Sequence, residues 1–301
     1  MLEFHDLTLS DKEPLAAALR LENSRSCDCS LSCIYSWSAA NAIRICFCGS
    51  RFVALIGAGG SAPVFSFPYG EGELKSIVQQ LRETAAGLSS PLVLTGLEEK
   101  HVQLLEDAFP GCFIFSRTEE RDEYIYLAEK LSTFSGKALH GKKNHCNRFE
   151  AEHDWHFEPL DSSLTGECLE MQRRWLADNS ERLEEGVHDD LAASEYAFSH
   201  FDELGLEGGI LYADGSVVGF AAGSVCSSDC FDLSFEKARP EINGAYSMVC
   251  RETAKLVLGR HPELVYINRE DDAGSEGLRK SKLSYRPEFM LKKYTARWNC
   301  G

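Results

Sequence analysis

The chain has 301 residues, 44% of them hydrophobic and 26% charged, the balance of a folded globular protein rather than a disordered or fibrous one. Its 47 Asp and Glu against 31 Lys and Arg leave a formal charge of −16, which excludes a broad nucleic-acid surface built on clustered cations. No basic segment followed by an apolar one opens the sequence, and no apolar run nears the roughly 18 residues of a membrane helix, so a cytoplasmic protein of two domains is expected.

In chain order, cysteines come first. Cys27, Cys29 and Cys33, then Cys46 and Cys48, belong to a total of 12. Zinc favours C-x(2–4)-C repeated twice. Here one gap is a single residue, and Cys46 and Cys48 share one face of a strand-like run. The cysteines therefore read mostly as reduced core hydrophobes, with no metal expected. Residues 43–56 are rich in β-branched and aromatic side chains and are broken by Gly49-Ser50, the pattern of a hairpin. Gly57-Ala58-Gly59-Gly60 precedes a strand, not a helix, and so is no dinucleotide fingerprint. Residues 62–68 read as a strand. Leu74, Ile77, Val78 and Leu81 recur at helical spacing, and Val102, Leu105 and Phe109 mark a second helix stopped by Pro110-Gly111. Residues 92–94, 112–115 and 124–127 are strand-like.

Residues 131–150 are the most basic stretch. On a continuous helix Lys137, His140, Asn144 and Arg148 fall on one face, while Lys142, Lys143 and His145 point elsewhere. That face reads either as a solvated connector or as one lining of a cleft between domains. The second half runs strand 155–159, helices around Leu169–Leu176 and Leu191–Leu204, and a meander with the turn Asp214-Gly215. A helix opened by Asn243-Gly244, a buried strand 264–267, a short helix 275–283 and a final strand 289–294 complete it. The expected division is residues 1–130, a connecting basic helix 131–150, and residues 151–301, in an α/β (α+β) fold.

Three segments carry candidate chemistry. Glu236 and Lys237 end the meander, and Asn243, Gly244, Ala245 and Tyr246 open the next helix, whose N-terminus suits an anion. A buried strand then runs into Asn268, Arg269, Glu270, Asp271 and Asp272. Ligands in open α/β sheets bind outside the carboxyl ends of strands. Arg269 offers a planar fork for carboxylate or phosphate, and Glu270 or Asp271 a proton acceptor. Last, Arg279, Lys282 and Tyr285 lie near one helix face and, with Lys237, form a local positive pocket in an acidic chain. There is no nucleophile elbow, P-loop or His-Glu-x-x-His, so direct transfer fits better than covalent catalysis.

At these residues the sequence resembles the phosphatidylglycerol lysyltransferase C-terminal-like family. The motifs are Asp122-Glu123-Tyr124-Ile125-Tyr126, residues 131–149, Phe235-Glu236-Lys237, Gly244-Ala245-Tyr246, and Asn-Arg-Glu-Asp-Asp-x-Gly…Gly-Leu-Arg-Lys-x-Lys-Leu-Ser-Tyr over 268–285. The resemblance implies two tandem GNAT-like lobes that transfer an acyl group from coenzyme A, or an aminoacyl group from charged tRNA, to an amine or hydroxyl. The acetyl-CoA loop Gln/Arg-x-x-Gly-x-Gly/Ala is absent, since residues 239–244 hold one glycine. The expected roles are Arg269 and Lys282 as anion binders, Glu270 or Glu236 as base, and Tyr246 or Tyr285 as hydrogen-bonding acid. The competing reading is a module that binds coenzyme A or another anionic small molecule without turnover. A tRNA adaptor resting on residues 137–148 is a third.

Overall fold

The computed structural model describes residues 2–57, 62–179 and 187–300; Ala58, Gly59 and Gly60 of the glycine-rich run lie outside them. The first half comprises β1 (His5–Asp6), α1 (Lys12–Glu22), α2 (Leu31–Ser36), β2 (Arg44–Cys48), β3 (Arg51–Ile56), β4 (Val64–Ser66), β5 (Tyr69–Gly70), α3 (Leu74–Gly87), β6 (Val93–Leu97), α4 (Glu99–Ala108), β7 (Phe113–Arg117) and β8 (Glu123–Leu127). Helices α5 (Ala128–Thr133) and α6 (His140–Glu152) follow. The rest is β9 (Trp155–Pro159), α7 (Thr165–Asn179), α8 (Val187–Ser199), β10 (Glu207–Ala213), β11 (Ser216–Ser227), β12 (Cys230–Ala238), α9 (Ala245–Arg260), β13 (Tyr266–Asn268), α10 (Glu276–Ser284), β14 (Phe289–Leu291) and β15 (Tyr294–Trp298).

Local signals explain most of these elements. Gly49, at φ +66°, turns β2 into β3, and Asp214 and Gly215, both at positive φ, turn β10 into β11, as two-residue hairpins require. The basic stretch is not one helix. Phe134 takes the left-handed conformation and Gly136 has φ +90°, so α5 stops before α6 begins and the helical phase is reset. The expected final strand is likewise two, β14 and β15, in different sheets.

The sheets do not follow the expected division by residue number. One sheet runs β1-β2-β3-β4-β6-β15-β7, with β5 on β3; the other runs β14-β8-β13-β12-β11-β10-β9. The late strand β15 thus sits between two early ones, and β8 sits between two late ones. The core follows the same logic. Phe220, Ala222 and Phe235 on one face of the second sheet join a cluster that includes Phe65, Val78 and Leu94 of the first. Ala221, between Phe220 and Ala222, faces the opposite way, as do Phe231 and Leu233, which a β-bulge between Ala222 and Ser224 puts out of phase with Phe235; these pack toward Phe149, Met248 and Val257 of α6 and α9. A disulfide, Cys112–Cys300, ties the segment after β15 to the start of β7, while the ten other cysteines are free. Among the described residues no helix is long and apolar enough to cross a membrane.

Candidate active site

The parallel pairing of β12 with β13 ends at Asp232↔Asn268. Beyond that point β12 stays on β11 as far as Ala238, while the chain after Asn268 follows β8 through Arg269 N–H to Tyr124 C=O (3.0 Å) and Tyr124 N–H to Glu270 C=O (3.1 Å). The two strands splay, and one ion pair spans the gap: Arg269 meets Glu236 Oε2 through Nε at 2.9 Å and Nη2 at 2.6 Å. Both side chains are about nine-tenths buried. Glu236 Oε1 and Arg269 Nη1 are buried as well, with no hydrogen-bond partner among the described residues. A buried charge pair with unused groups is costly unless something completes it.

Tyr285 closes this cleft. Its ring lies 4.4 Å from the Arg269 guanidinium carbon and 3.7 Å from Lys142 Nζ, contacts worth up to about 2 kcal/mol each when dry. Burial pushes the Tyr285 phenol well up, so it stays protonated. Burial, then the Arg269 charge, pushes the Lys142 ammonium down. With Lys142 lacking a carboxylate partner among the described residues, two cations face one carboxylate, and the cleft is net positive inside an acidic protein.

The turn behind the pair is built by its own polar residues. Asn268, fully buried, donates to Arg25 C=O at 2.7 Å and to Glu123, and accepts from Glu270 N–H at 2.7 Å. Glu270 sits at φ +55° with Oε1 buried and unpartnered. Burial, and then the neighbouring Asp232, hold its carboxyl well above the usual range. Burial lifts Asp232 to about 7, and its Oδ1 too has no partner.

The other sequence candidates fall into three groups. Some hold the turn: Lys282 donates to the carbonyls of Arg269 (2.5 Å) and Asp271, Asp271 pairs with Arg121 at 3.2 Å, and Arg279 grips Asp272 through two bonds of 2.9 and 3.0 Å. These cations are engaged within the protein. Some pack α9: Ala245 is fully buried, Tyr246 rests on the second core, and Asn243 accepts from His145 Nδ1 at 3.0 Å instead of capping the helix. Gly244, at φ +91°, has no room for a Cβ, which would lie 2.6 Å from His145 C=O. Lys237 pairs with Asp190 at 2.9 Å. Finally, Lys137, His140, Asn144 and Arg148 are all exposed, and Arg148 pairs with Glu152. The face of α6 that turns inward carries Cys146 and Phe149, and Lys142 reaches the cleft.

Lys142, Asp232 and Glu123 are not among the site residues the sequence singles out. Lys142 shares the face of α6 that carries Cys146 and Phe149, the face opposite the polar one expected to line the cleft. The others are brought together only by long-range strand pairing, although Asp232, a charge inside the apolar run Cys230–Leu233, was a usable signal. A separate groove of about 910 Å³ is lined by α7, the Gly215–Val217 turn and residues 239–241. Its two arginines are paired, Arg174 with Glu170 and Arg239 with Glu241, and Glu167 accepts from the Tyr212 hydroxyl.

A family model described as phosphatidylglycerol lysyltransferase, C-terminal, matches residues 19–297. A conserved protein of unknown function from Bacteroides thetaiotaomicron VPI-5482 is 34% identical, with a TM-score of 0.93 over 99% of this chain and 100% of that one. A domain assigned to the C-terminus of a lysylphosphatidylglycerol synthetase from Agrobacterium fabrum is 15% identical, with a TM-score of 0.68 over 96% and 92%. A tandem GNAT protein from the clavulanic acid biosynthesis pathway is 11% identical, with a TM-score of 0.53 over 100% of both chains. The two sheets and their helices are thus tandem GNAT-like lobes. Among curated proteins, an uncharacterised one from Mycoplasmoides gallisepticum is 24% identical over 184 residues; the match spans 60% of this chain and 58% of that protein's length.

Proposed function

The chain belongs to the phosphatidylglycerol lysyltransferase C-terminal family, and from that premise we propose that it is an aminoacyltransferase working in the splay between β12 and β13. The observation that carries this reading is the buried Arg269–Glu236 pair with one donor, Nη1, and one acceptor, Oε1, left over. Acyl transfer by direct attack needs such a couple: a donor for the carbonyl oxygen as it gains negative charge, and an acceptor for the proton the nucleophile loses. An incoming amine or hydroxyl attacks the carbonyl carbon of the aminoacyl ester. The carbonyl oxygen takes a hydrogen bond from Arg269, and the nucleophile's proton goes to Glu236. The bond to the leaving ribose oxygen then breaks, and that oxygen takes the proton held by Glu236, which restores the carboxylate, while the Tyr285 phenol, stacked on the pair, keeps its proton and donates a hydrogen bond. Lys142 adds positive charge for an anionic donor.

Charged tRNA is the donor we favour over acyl-coenzyme A. The loop before α9 holds a single glycine, and Gly244 is needed for contact with α6, which leaves no glycine-lined cradle for a pyrophosphate there.

The test is transfer of radiolabelled lysine from lysyl-tRNA to small amines and to phosphatidylglycerol vesicles, with acetyl-coenzyme A as a second donor arm. Arg269→Ala and Glu236→Gln are each expected to lower turnover by about 10²–10³-fold, the usual loss for one such group. Ligand binding without turnover from any donor would leave a binding module. Unchanged turnover in both variants would sink the assignment.

A further inference from the structure

We propose that Cys27, Cys33 and Glu270 form a binding site for one thiophilic divalent cation, with zinc the fitting probe. It does not depend on the transferase reading. The ligand atoms, two Sγ and one carboxylate oxygen, all lie within 4.8 Å of one another. Tetrahedral zinc, with Zn–S of about 2.3 Å and Zn–O of about 2.0 Å, holds such atoms about 3.5–3.8 Å apart, so small side-chain rotations suffice. The sequence spacing spoke against zinc because it weighed cysteines alone; the third ligand arrives from the far end of the chain.

Three features make this more than a chance cluster. The backbone presents the carboxylate at a cost. Glu270 keeps a left-handed φ of +55°, pinned by its N–H on Asn268 and its C=O on Tyr124, and its Oε1 is buried without a partner. A proton acceptor stands beside the first thiol, as release of its proton on metal binding requires. The Cys27 thiol lies 3.3 Å from Glu123 Oε1, and Glu123 is held by Ser26, Asn268 and Lys293. Charge supplies the third. Glu123 and Asp28 share Lys293, and Asp271 has Arg121. Asp232 is fully buried, has an unpartnered Oδ1, and acts electrostatically on both Glu270 and Cys33. Lys282 acts on both carboxylates, but its ammonium donates to the Arg269 and Asp271 carbonyls, and neither carboxylate makes an ion pair among the described residues; a divalent ion beside them would supply one. The thiols select a soft metal over an organic ammonium. A second cluster, Glu22, Glu98 and His101, offers a metal no open imidazole. His101 Nδ1 accepts from Glu98 N–H and Nε2 faces Glu22, so neither ring nitrogen is free.

The experiment is elemental analysis of the untagged full chain purified without chelator, followed by cobalt(II) titration of the metal-stripped protein. One zinc per chain and a thiolate-to-cobalt charge-transfer band are expected. The double variant Cys27→Ser, Cys33→Ser loses both, while Cys46→Ser, Cys48→Ser keeps both. If the first variant fails to fold, the wild-type cobalt spectrum and protection of two thiols from alkylation by added zinc still decide. Wild-type protein that takes up neither metal overturns the proposal. So does a Cys27–Cys33 disulfide by mass spectrometry, or stabilisation by lysine amide with no metal uptake.

Discussion

A buried carboxylate is tolerated as a charge only where donors surround it, and Glu22 meets that condition where Glu270 and Asp232 do not. Burial works to raise its pKa, but hydrogen bonds from His101 (2.9 Å), Lys100 and the Gly70 amide (3.0 Å) outweigh it and hold the group at about 2, against 4.5 for a free glutamate. The folded value lies below the unfolded one. The stabilisation is therefore complete above pH 4.5 and is lost as pH falls toward 2. It amounts to about 3 kcal/mol, from roughly 1.4 kcal/mol per unit. Urea unfolding at pH 6 and pH 3 checks it: Glu22→Gln should be destabilised at pH 6 and closer to wild type at pH 3. An equal deficit at both would remove the charge from the explanation. At this scale the sequence was partly legible. Arg269 and Glu236 could be picked out as polar residues at strand positions, but nothing in their spacing announced that they pair. Arg279 and Lys282 have the composition of anion binders, yet each is held by oxygens of the turn between β13 and α10.

Helices α6 and α9 meet where Gly244 passes the backbone of His145. A Cβ there would sit 2.6 Å from His145 C=O and 3.1 Å from Phe149 Cβ, at a φ of +91° that side chains avoid. Gly244→Ala must both strain the backbone and push α6 away from α9, at a cost of roughly 1–3 kcal/mol for the strain before any clash is counted. Gly111→Ala is the control, since its φ of +69° carries the same strain but nothing lies within 4 Å of the added carbon. Thermal melts should show a clearly larger loss for Gly244→Ala; equal losses would mean that the helix contact gives way freely. Hairpins, most helices and the buried strands were readable because turn chemistry and periodicity are local. The inward face of α6 was not. The period of 3.6 holds along α6, with His140, Asn144 and Arg148 together on one exposed face, but the inward face is the one marked by the apolar Cys146 and Phe149, and Lys142 shares it.

At the scale of the molecule, the exchange of β8 and β15 decides how the two lobes fold. Sequence patterns are blind to it, because strand order depends on which edges meet after the chain has folded back over more than a hundred residues. Cutting between residues 130 and 151 would leave the N-terminal piece without β15, so β6 and β7 lose their shared neighbour. The C-terminal piece would lack β8, which pairs with both β13 and β14. Each fragment would expose unpaired strand edges, a route to aggregation. Each would also lose apolar partners, since the cluster containing Phe65 and Leu94 continues through Phe198, Phe220 and Phe235. The expected outcome is that residues 1–130 and 151–301 made separately give no cooperative melt and little amide protection, while the intact chain unfolds in one transition. Residues 131–150 are kept on the C-terminal fragment in a parallel pair, because α6 packs on α9 and its loss alone would destabilise that piece. If either 1–130 or 131–301 melts cooperatively by itself, the exchanged strands are dispensable and the lobes are independent domains. If neither does, the splay between β12 and β13 exists only in the whole chain. The Arg269–Glu236 pair then forms only once a strand from the other half, β8, has docked beside β13.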